Sequence, residues 1–301
     1  MDTARRRDGR LSAAVLGAGL IGVDLAAKIG RSRSLDCRLV VARGDDTPGL
    51  RHAARLGLPT ASGGVRSLLD APEPFGVVFD ATNAASHAEH AELLRPLGTK
   101  LVDLTPSKAG HMVVPTVNGT DVLEHGDISM ISCGGQASIP VLHALARQHR
   151  IDYVEVVTTA ASLSVGRSTR LNLDEYVETT QDAVREFTGV ENVKAILNVS
   201  PARPPATFRV AMSVLGAGLT RESVRAVLAT ATAPVRAFAG GFEVTASVVE
   251  DGRALIAVEV TSSGDRIPRY AGNLDIINSA ALYVAEAYAA ARVPTAGTVL
   301  S

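Results

Sequence analysis

Cys133 lies in the run Ile131-Ser132-Cys133-Gly134-Gly135-Gln136, more than a hundred residues after the glycine turn Gly17-Ala18-Gly19-Leu20-Ile21-Gly22. A thiolate is a strong nucleophile toward a carbonyl, and a GxGxxG turn between strand and helix is suited to hold a dinucleotide. Together they permit a chemistry that neither permits alone. The sulfur adds to an aldehyde, the tetrahedral adduct loses hydride to a nicotinamide, and an acyl thioester remains on the protein. An acyl-transferring oxidation is therefore the expected chemistry, with Cys133 as nucleophile.

Most free cysteines are inert packing residues, so the neighbours of Cys133 matter. Gly134 and Gly135 leave bare backbone that a substrate can approach, and Ser132 and Gln136 are small or polar. Gly135 and Gln136 are therefore expected substrate contacts. Cys133 ends an expected strand, with a helix just beyond whose N-terminal dipole favours a thiolate or an oxyanion. None of the histidines stands out as its base. His87 and His90 are three apart, a spacing that can hold a metal, but without further ligands they read as surface or helix-packing residues, and no metal is expected.

The elements that must position these groups alternate. Leu11 to Leu16 reads as a strand running into the glycine turn, followed by helical spacing over Val23 to Ile29. Gly17 suits the tight turn, Gly19 lets a pyrophosphate approach, and Gly22 lets helix pack on strand, with the phosphates over the helix N-terminus. Gly17, Ala18, Gly19, Leu20 and Ile21 are thus candidate cofactor contacts. Strands are expected over 38–42, 76–80, 100–104 and 128–132, with helices over 49–56, 85–94 and 139–148, where Pro140 falls in the first turn. Such alternation describes a doubly wound parallel sheet of Rossmann type, whose functional residues collect at the strands' carboxyl ends. Ala81-Thr82-Asn83, Thr105-Pro106-Ser107 and Cys133 all fall there, and Thr82 is a candidate cofactor contact.

NAD-selective sheets of this type usually carry an acidic residue ~20 residues past the glycines. Here the second strand ends Val41-Ala42-Arg43-Gly44, followed by Asp45 and Asp46. Arg43 can accept a 2′-phosphate, which favours NADP or dual use; alternatively Arg43 is a surface charge and an aspartate binds the ribose. The cofactor is accordingly NAD or NADP.

After Cys133 the pattern changes. Runs at 153–161, 196–199 and 207–212, and a pair at 242–249 and 255–260 around Asp251-Gly252, predict an α+β domain on an antiparallel sheet. Such a sheet face often pairs subunits, so a homodimer is expected. Ser162 to Arg170 reads as a polar, flexible loop able to lie across a nicotinamide. Residues 273–291 read as an Ala-rich amphipathic helix returning to the first domain. The expected division is an arm over 1–10, a dinucleotide domain over 11–134 with 273–295, and a catalytic and dimerisation domain over 135–272.

Of 301 residues, 46% are hydrophobic and 20% charged, and the net charge is -1, which argues against a nucleic-acid or anionic-membrane partner. Arg5-Arg6-Arg7 sits in the polar arm and reads as solvated chain. No run approaches the ~18 apolar residues of a membrane span. Two cysteines make no disulfide framework; Cys37, just before a strand, reads as half-buried packing, and a reducing, cytoplasmic setting is expected.

From Ala14 to about Glu286 the chain resembles the acylating acetaldehyde dehydrogenases of the bacterial aldolase–dehydrogenase pair. The matching stretches are 16–22, Phe79-Asp80-Ala81-Thr82, Asp103-Leu104-Thr105-Pro106 and Ser132-Cys133-Gly134-Gly135-Gln136-Ala137. Thr169-Arg170, Asp174-Glu175, Glu178-Thr179-Thr180 and Tyr270-Ala271-Gly272-Asn273-Leu274-Asp275 match as well. The resemblance implies oxidation of a short aldehyde to its acyl-CoA, with coenzyme A as co-substrate and an aldolase partner supplying the aldehyde. It implies that Cys133 carries the acyl group. It also implies that Gly17 to Leu20, the loop containing Ser162, Ser164, Gly166 and Thr169, and Asn273 contact the dinucleotide.

Two departures stand out. The family's Lys-Ser-Ala-Gly-Pro-Gly is replaced by Leu163-Ser164-Val165-Gly166-Arg167-Ser168, which moves a positive charge. The family's Arg-Asp-Thr is replaced by Arg209-Val210-Ala211, and Val210 cannot take a proton. Loss of a general base costs roughly 10²–10⁴ in rate. Two alternatives follow: a dehydrogenase whose acyl acceptor is water or a carrier-protein thiol, and a weakly active subunit that stabilises an aldolase.

Overall fold

The computed structural model describes residues 9–263 and 266–292. The expected arm, save Gly9 and Arg10, and residues 293–295 of the first expected domain lie outside these. In chain order the first half runs β1 (Leu11–Leu16), α1 (Leu20–Ile29), β2 (Leu35–Val41), α2 (Pro48–Arg55), β3 (Thr60–Ala61), α3 (Arg66–Leu69), β4 (Val77–Asp80), α4 (Ala84–Leu94), β5 (Lys100–Asp103), β6 (His111–Met112), α5 (Pro115–Asn118) and β7 (Asp127–Ser129). The second half runs α6 (Cys133–Ala146), β8 (Ile151–Ala161), α7 (Arg167–Leu171), α8 (Leu173–Thr188), β9 (Val193–Ser200), β10 (Phe208–Gly216), α9 (Arg221–Phe238), β11 (Phe242–Glu250), β12 (Arg253–Val260) and α10 (Gly272–Ala291).

β1 and β4 are buried at every position, as strands covered on both faces must be. They lie near the centre of a parallel sheet of order β3-β2-β1-β4-β5-β7-β6. The order reverses between β1 and β4, so a crevice opens beyond their carboxyl ends. Cys37 lies inside β2, buried, rather than half-buried before it.

β8 and β10 alternate buried and partly exposed residues, the signature of a sheet with one face on a core. The second sheet, β11-β12-β10-β8-β9, is mixed rather than antiparallel throughout, because β9 pairs parallel with β8. Parallel neighbours need a long crossover, here α7 and α8. The β11–β12 hairpin turns at Asp251-Gly252 as expected, both in left-handed conformation.

Two helices join the halves. α10 packs Ile277, Ala280, Ala281, Val284 and Tyr288 into the core beneath the first sheet, so the C-terminal helix does return to it. Lys28 on α1 donates to Asp275 on α10 at 2.8 Å in the same interface. α6 packs Ala137, Val141 and Leu145 against the second sheet. It begins at Cys133, six residues earlier than expected, which places Pro140 within the helix instead of its first turn.

Candidate active site

A cavity of about 880 Å³ occupies the crevice at the carboxyl ends of β1 and β4 and extends under the segment after β8. The glycine turn forms one wall. Gly17 has φ +108°, and a Cβ there would stand 2.6 Å from the Ala81 carbonyl oxygen. A Cβ on Gly22 would meet the Gly17 carbonyl at 1.8 Å, so helix α1 closes on the turn only through glycine. At Gly19 a Cβ would meet nothing within 4 Å. Gly19 caps α1 without any side-chain hydrogen bond, leaving the helix N-terminus open toward the cavity. An open, uncapped N-terminus is what a pyrophosphate needs.

Arg43 lines the cavity just past β2. Asp46 instead pairs with Arg51 at 2.8 Å, on the surface, and neither Asp45 nor Asp46 lines the cavity. At the far end the Asn273 amide donates to the Ser164 carbonyl at 2.9 Å, while its buried Oδ1 has no partner. That orphan acceptor, in the cavity wall, fits an amide N–H such as a carboxamide carries. The residues present therefore suit a nicotinamide dinucleotide.

The expected loop over 162–170 is instead a 3₁₀ turn, Ser162–Ser164, followed by helix α7. Arg170 ties it down by donating to the Ser162 carbonyl and hydroxyl at 2.7 and 2.9 Å. Ser168 crosses to the first half and donates to the Thr82 carbonyl at 2.6 Å. Val165 to Thr169 thus roof the cavity in a fixed conformation.

Cys133 sits where the two cores meet, packed against both. Ile131, two residues before, has φ +64°, a left-handed conformation that a β-branched residue adopts at a cost of about 1–3 kcal/mol. This bend, stabilised by the Ile131 N–H donating to Ser129 Oγ, swings Cys133 onto the first residue of α6. Ser132 caps the helix by accepting from Gly135 N–H at 2.9 Å. The Cys133 Sγ lies 3.4 Å from the Tyr176 hydroxyl, to which Gly134 N–H donates at 3.0 Å. Burial pushes the thiol up to about 11, offset in part by Tyr176 and by the backbone N–H groups of Gly134 and Cys133.

Below the site His87 and His90 are buried, not on the surface, and both grip Asp80. The His87 and His90 Nδ1 atoms lie 3.0 and 2.7 Å from Asp80 Oδ2. Asp103 and Asp127 also face the His87 ring, at 3.5 and 3.3 Å. Burial disfavours the His87 cation, but Asp127, Asp80 and Asp103 outweigh it and lift its pKa to about 10. Burial likewise opposes ionisation of Asp80, yet the two histidines hold it well below the ordinary carboxylate range. Its other oxygen accepts from Thr82 N–H and Oγ, fixing the loop that lines the cavity.

Gly17, Ala18, Gly19, Leu20, Ile21, Arg43, Thr82, Cys133, Gly166, Thr169 and Asn273 all line the one cavity. Ser162, Ser164, Gly135 and Gln136 do not. Ser162 and Ser164 serve the roof through Arg170 and Asn273, and Gly135 is spent on the Ser132 cap. Gln136 is buried, its amide donating to the carbonyls of Val113 and Met130 at 2.8 and 2.9 Å. Arg167, within the loop expected over 162–170, lines the cavity as well; sequence reasoning missed Tyr176 and His90, which also line it. Tyr176 lies between the matched stretches Asp174-Glu175 and Glu178-Thr179-Thr180, and no spacing ties it to a cysteine 43 residues away.

Residues 133–268 match the family described as prokaryotic acetaldehyde dehydrogenase, dimerisation. An acetaldehyde dehydrogenase of Streptomyces griseus is 54% identical over 277 residues, 92% of this chain and 90% of the relative. One from Spirochaeta aurantia is 41% identical, over 93% of this chain and 95% of the relative. In fold the chain resembles aspartate semialdehyde dehydrogenase II of Vibrio cholerae, with a TM-score of 0.64 at 13% identity, covering 95% of this chain and 99% of that one. With a relative more than half identical over nearly its whole length, the chain belongs to the acetaldehyde dehydrogenase family of oxidoreductases.

Proposed function

We propose that the protein oxidises a short aldehyde, acetaldehyde foremost, to its acyl-CoA, using NAD or NADP and a Cys133 thioester. The observation that carries this reading is a free thiol at a helix N-terminus on the floor of a dinucleotide-shaped cavity. The names of the relatives support the aldehyde as substrate. A bound nicotinamide supplies a hydride acceptor. The glycine turn and α1 hold the phosphates, Arg43 the ribose end, and Asn273 Oδ1 the carboxamide. The roof over Val165 to Thr169 shields the thiol from water while the acyl group is attached.

Two functional halves fit this reading, residues 11–134 with 273–295 for the dinucleotide and 135–272 for catalysis and dimerisation. A homodimer is supported by the matched dimerisation region and by the open face of the outer hairpin, where the register partners Val248 and Leu255 are exposed. An aldolase partner would deliver aldehyde near Leu171, exposed at the cavity edge. Cys133 must stay reduced, which suits the cytoplasm.

The test is formation of reduced nicotinamide from acetaldehyde and from propanal, with and without CoA. CoA-dependent formation is expected. CoA-independent formation would redirect the acyl group to water or another thiol. Among the described residues near the expected ribose site, Arg43 supplies a positive charge in the cavity and no carboxylate does. Arg43→Ala is therefore expected to raise KM for NADP about tenfold and leave KM for NAD nearly unchanged, as fits loss of a charge-assisted hydrogen bond. Equal effects on both cofactors would remove Arg43 from the ribose site.

A further inference from the structure

We infer that Tyr176 is a catalytic residue of this site, its hydroxyl donating to the Cys133 sulfur and stabilising the thiolate where no carboxylate is present. The inference rests on the reading of Cys133 as acyl carrier and adds the group that keeps that sulfur reactive.

The second sheet shows why such a group is needed. Val210 on β10 is the register partner of Thr158 on β8, so the two side chains share one face of the sheet. Both are fully buried on the face that packs against α6. The strand position where the resemblance leads one to expect an aspartate therefore presents only methyl groups toward the cysteine's helix.

Tyr176 reaches the same place from α8. Its hydroxyl touches Cys133 Sγ at 3.4 Å and accepts from Gly134 N–H at 3.0 Å, with the Thr158 hydroxyl beside it. A phenol oxygen carries one proton and about two acceptor sites. With Gly134 N–H donating to the oxygen and the Thr158 hydroxyl able to donate as well, the phenol proton is free to turn to sulfur. Gly134 is what makes the approach possible: a Cβ there would fall 2.4 Å from Thr158 Oγ1 and 2.6 Å from Tyr176 Oη. The helix is held in place by its neighbours, since Thr180 bonds Ser132 Oγ at 2.7 Å and Thr179 donates to the Pro106 carbonyl at 3.1 Å.

Tyr176 acts as a donor and not a base. Burial and the adjacent thiol raise its own pKa well above 10, so it stays protonated. Besides Cys133 and Tyr176, the charged and titratable side chains lining the cavity are Arg43, at its ribose end, His90 and Arg167. The influences on the thiol are burial, Tyr176 and backbone N–H groups. The thiol proton leaves to water, and the sulfur lone pair forms the C–S bond as the carbonyl π pair moves onto oxygen. In acyl transfer the C–S bond breaks, its electron pair returns to Cys133 sulfur, and Tyr176 again stabilises the thiolate as leaving group.

The test is the pH dependence of Cys133 alkylation by iodoacetamide in the full-length protein, read by peptide mass. Cys37, buried with its thiol pushed up to about 12, is a slow internal reference. Tyr176→Phe keeps the ring and is expected to move the alkylation profile to higher pH and slow the reaction near pH 8 roughly 10- to 100-fold, the range of a hydrogen bond to a charged group. Turnover should fall by a similar factor with KM for the aldehyde nearly unchanged. Thr158→Val should shift the profile in the same direction by less, and decides the matter if the Phe variant does not fold. An alkylation profile unchanged by either variant would overturn the inference. Slower alkylation with no CoA-dependent turnover in the parent protein would support Tyr176 as thiolate donor while the acylating reading fails.

Discussion

Cys133→Ala is expected to abolish nicotinamide reduction, a loss of roughly 10⁶-fold if it matches removal of the nucleophile in other acyl-transfer enzymes. The reason is mechanistic rather than structural. On the proposed function, the sulfur is what turns the aldehyde into a hydride donor attached to the protein. Alanine fits the site without strain, since Cys133 is the first residue of α6 and only half-buried. The glycine turn, Arg43 and Asn273 are untouched, so the variant should bind the dinucleotide as the parent does. Loss of turnover with intact cofactor binding, measured by fluorescence titration, separates chemistry from folding. A variant that keeps a tenth of the activity would place the acyl group elsewhere.

His87→Leu is expected to destabilise the protein by about 3–5 kcal/mol, because it leaves the Asp80 carboxylate buried and short of a cationic partner. His90 and Thr82 still bond Asp80, so the lower end of that range is the expected value. The pH dependence follows from the sign of the shift. The folded pKa of His87, about 10, lies above its ordinary value of 6.5, so its stabilisation is complete below pH 6.5. It is lost progressively as pH rises toward 10. Asp103, pushed up to about 7 by burial despite the nearby His87, adds a loss of the same sign as pH rises from 3.8 through 7. Chemical denaturation at pH 6 and at pH 9 checks this. The parent should be less stable at pH 9, and His87→Leu should show a smaller difference. A parent whose stability is flat across that range would mean that His87 is not charged in the folded state.

The parts legible in sequence were those with local signals. The β1 strand, its glycine turn and α1 are contiguous, and the apolar runs of β4, β5, β8 and β12 announce themselves. The β11–β12 turn carries its own Asp-Gly. Helix α8 was not legible, because the residues it buries are Tyr176, Thr179, Thr180, Ala183 and Val184, a face with few strongly apolar residues. Missing that crossover is also why β9 was expected antiparallel. Ile131 hid the start of α6: a bend at a β-branched residue has no turn signature.

Within the site the cofactor residues were legible through the fingerprint and the resemblance, but their partners were not. The His87 and His90 network draws Asp80, Asp103 and Asp127 from β4, β5 and β7, residues that meet only when the sheet forms. Val210 was visible as an absence. Only the register of β10 against β8 shows that it lies beside Thr158, with Tyr176 of α8 reaching the cysteine instead.

The central claim is that Cys133 carries the acyl group. The most direct measurement is mass spectrometry of the protein mixed with acetaldehyde and oxidised nicotinamide cofactor, without CoA. One acetyl group on the peptide containing Cys133, discharged when CoA is added, is the expected result. An unmodified Cys133 in a sample that still reduces the cofactor would contradict the account.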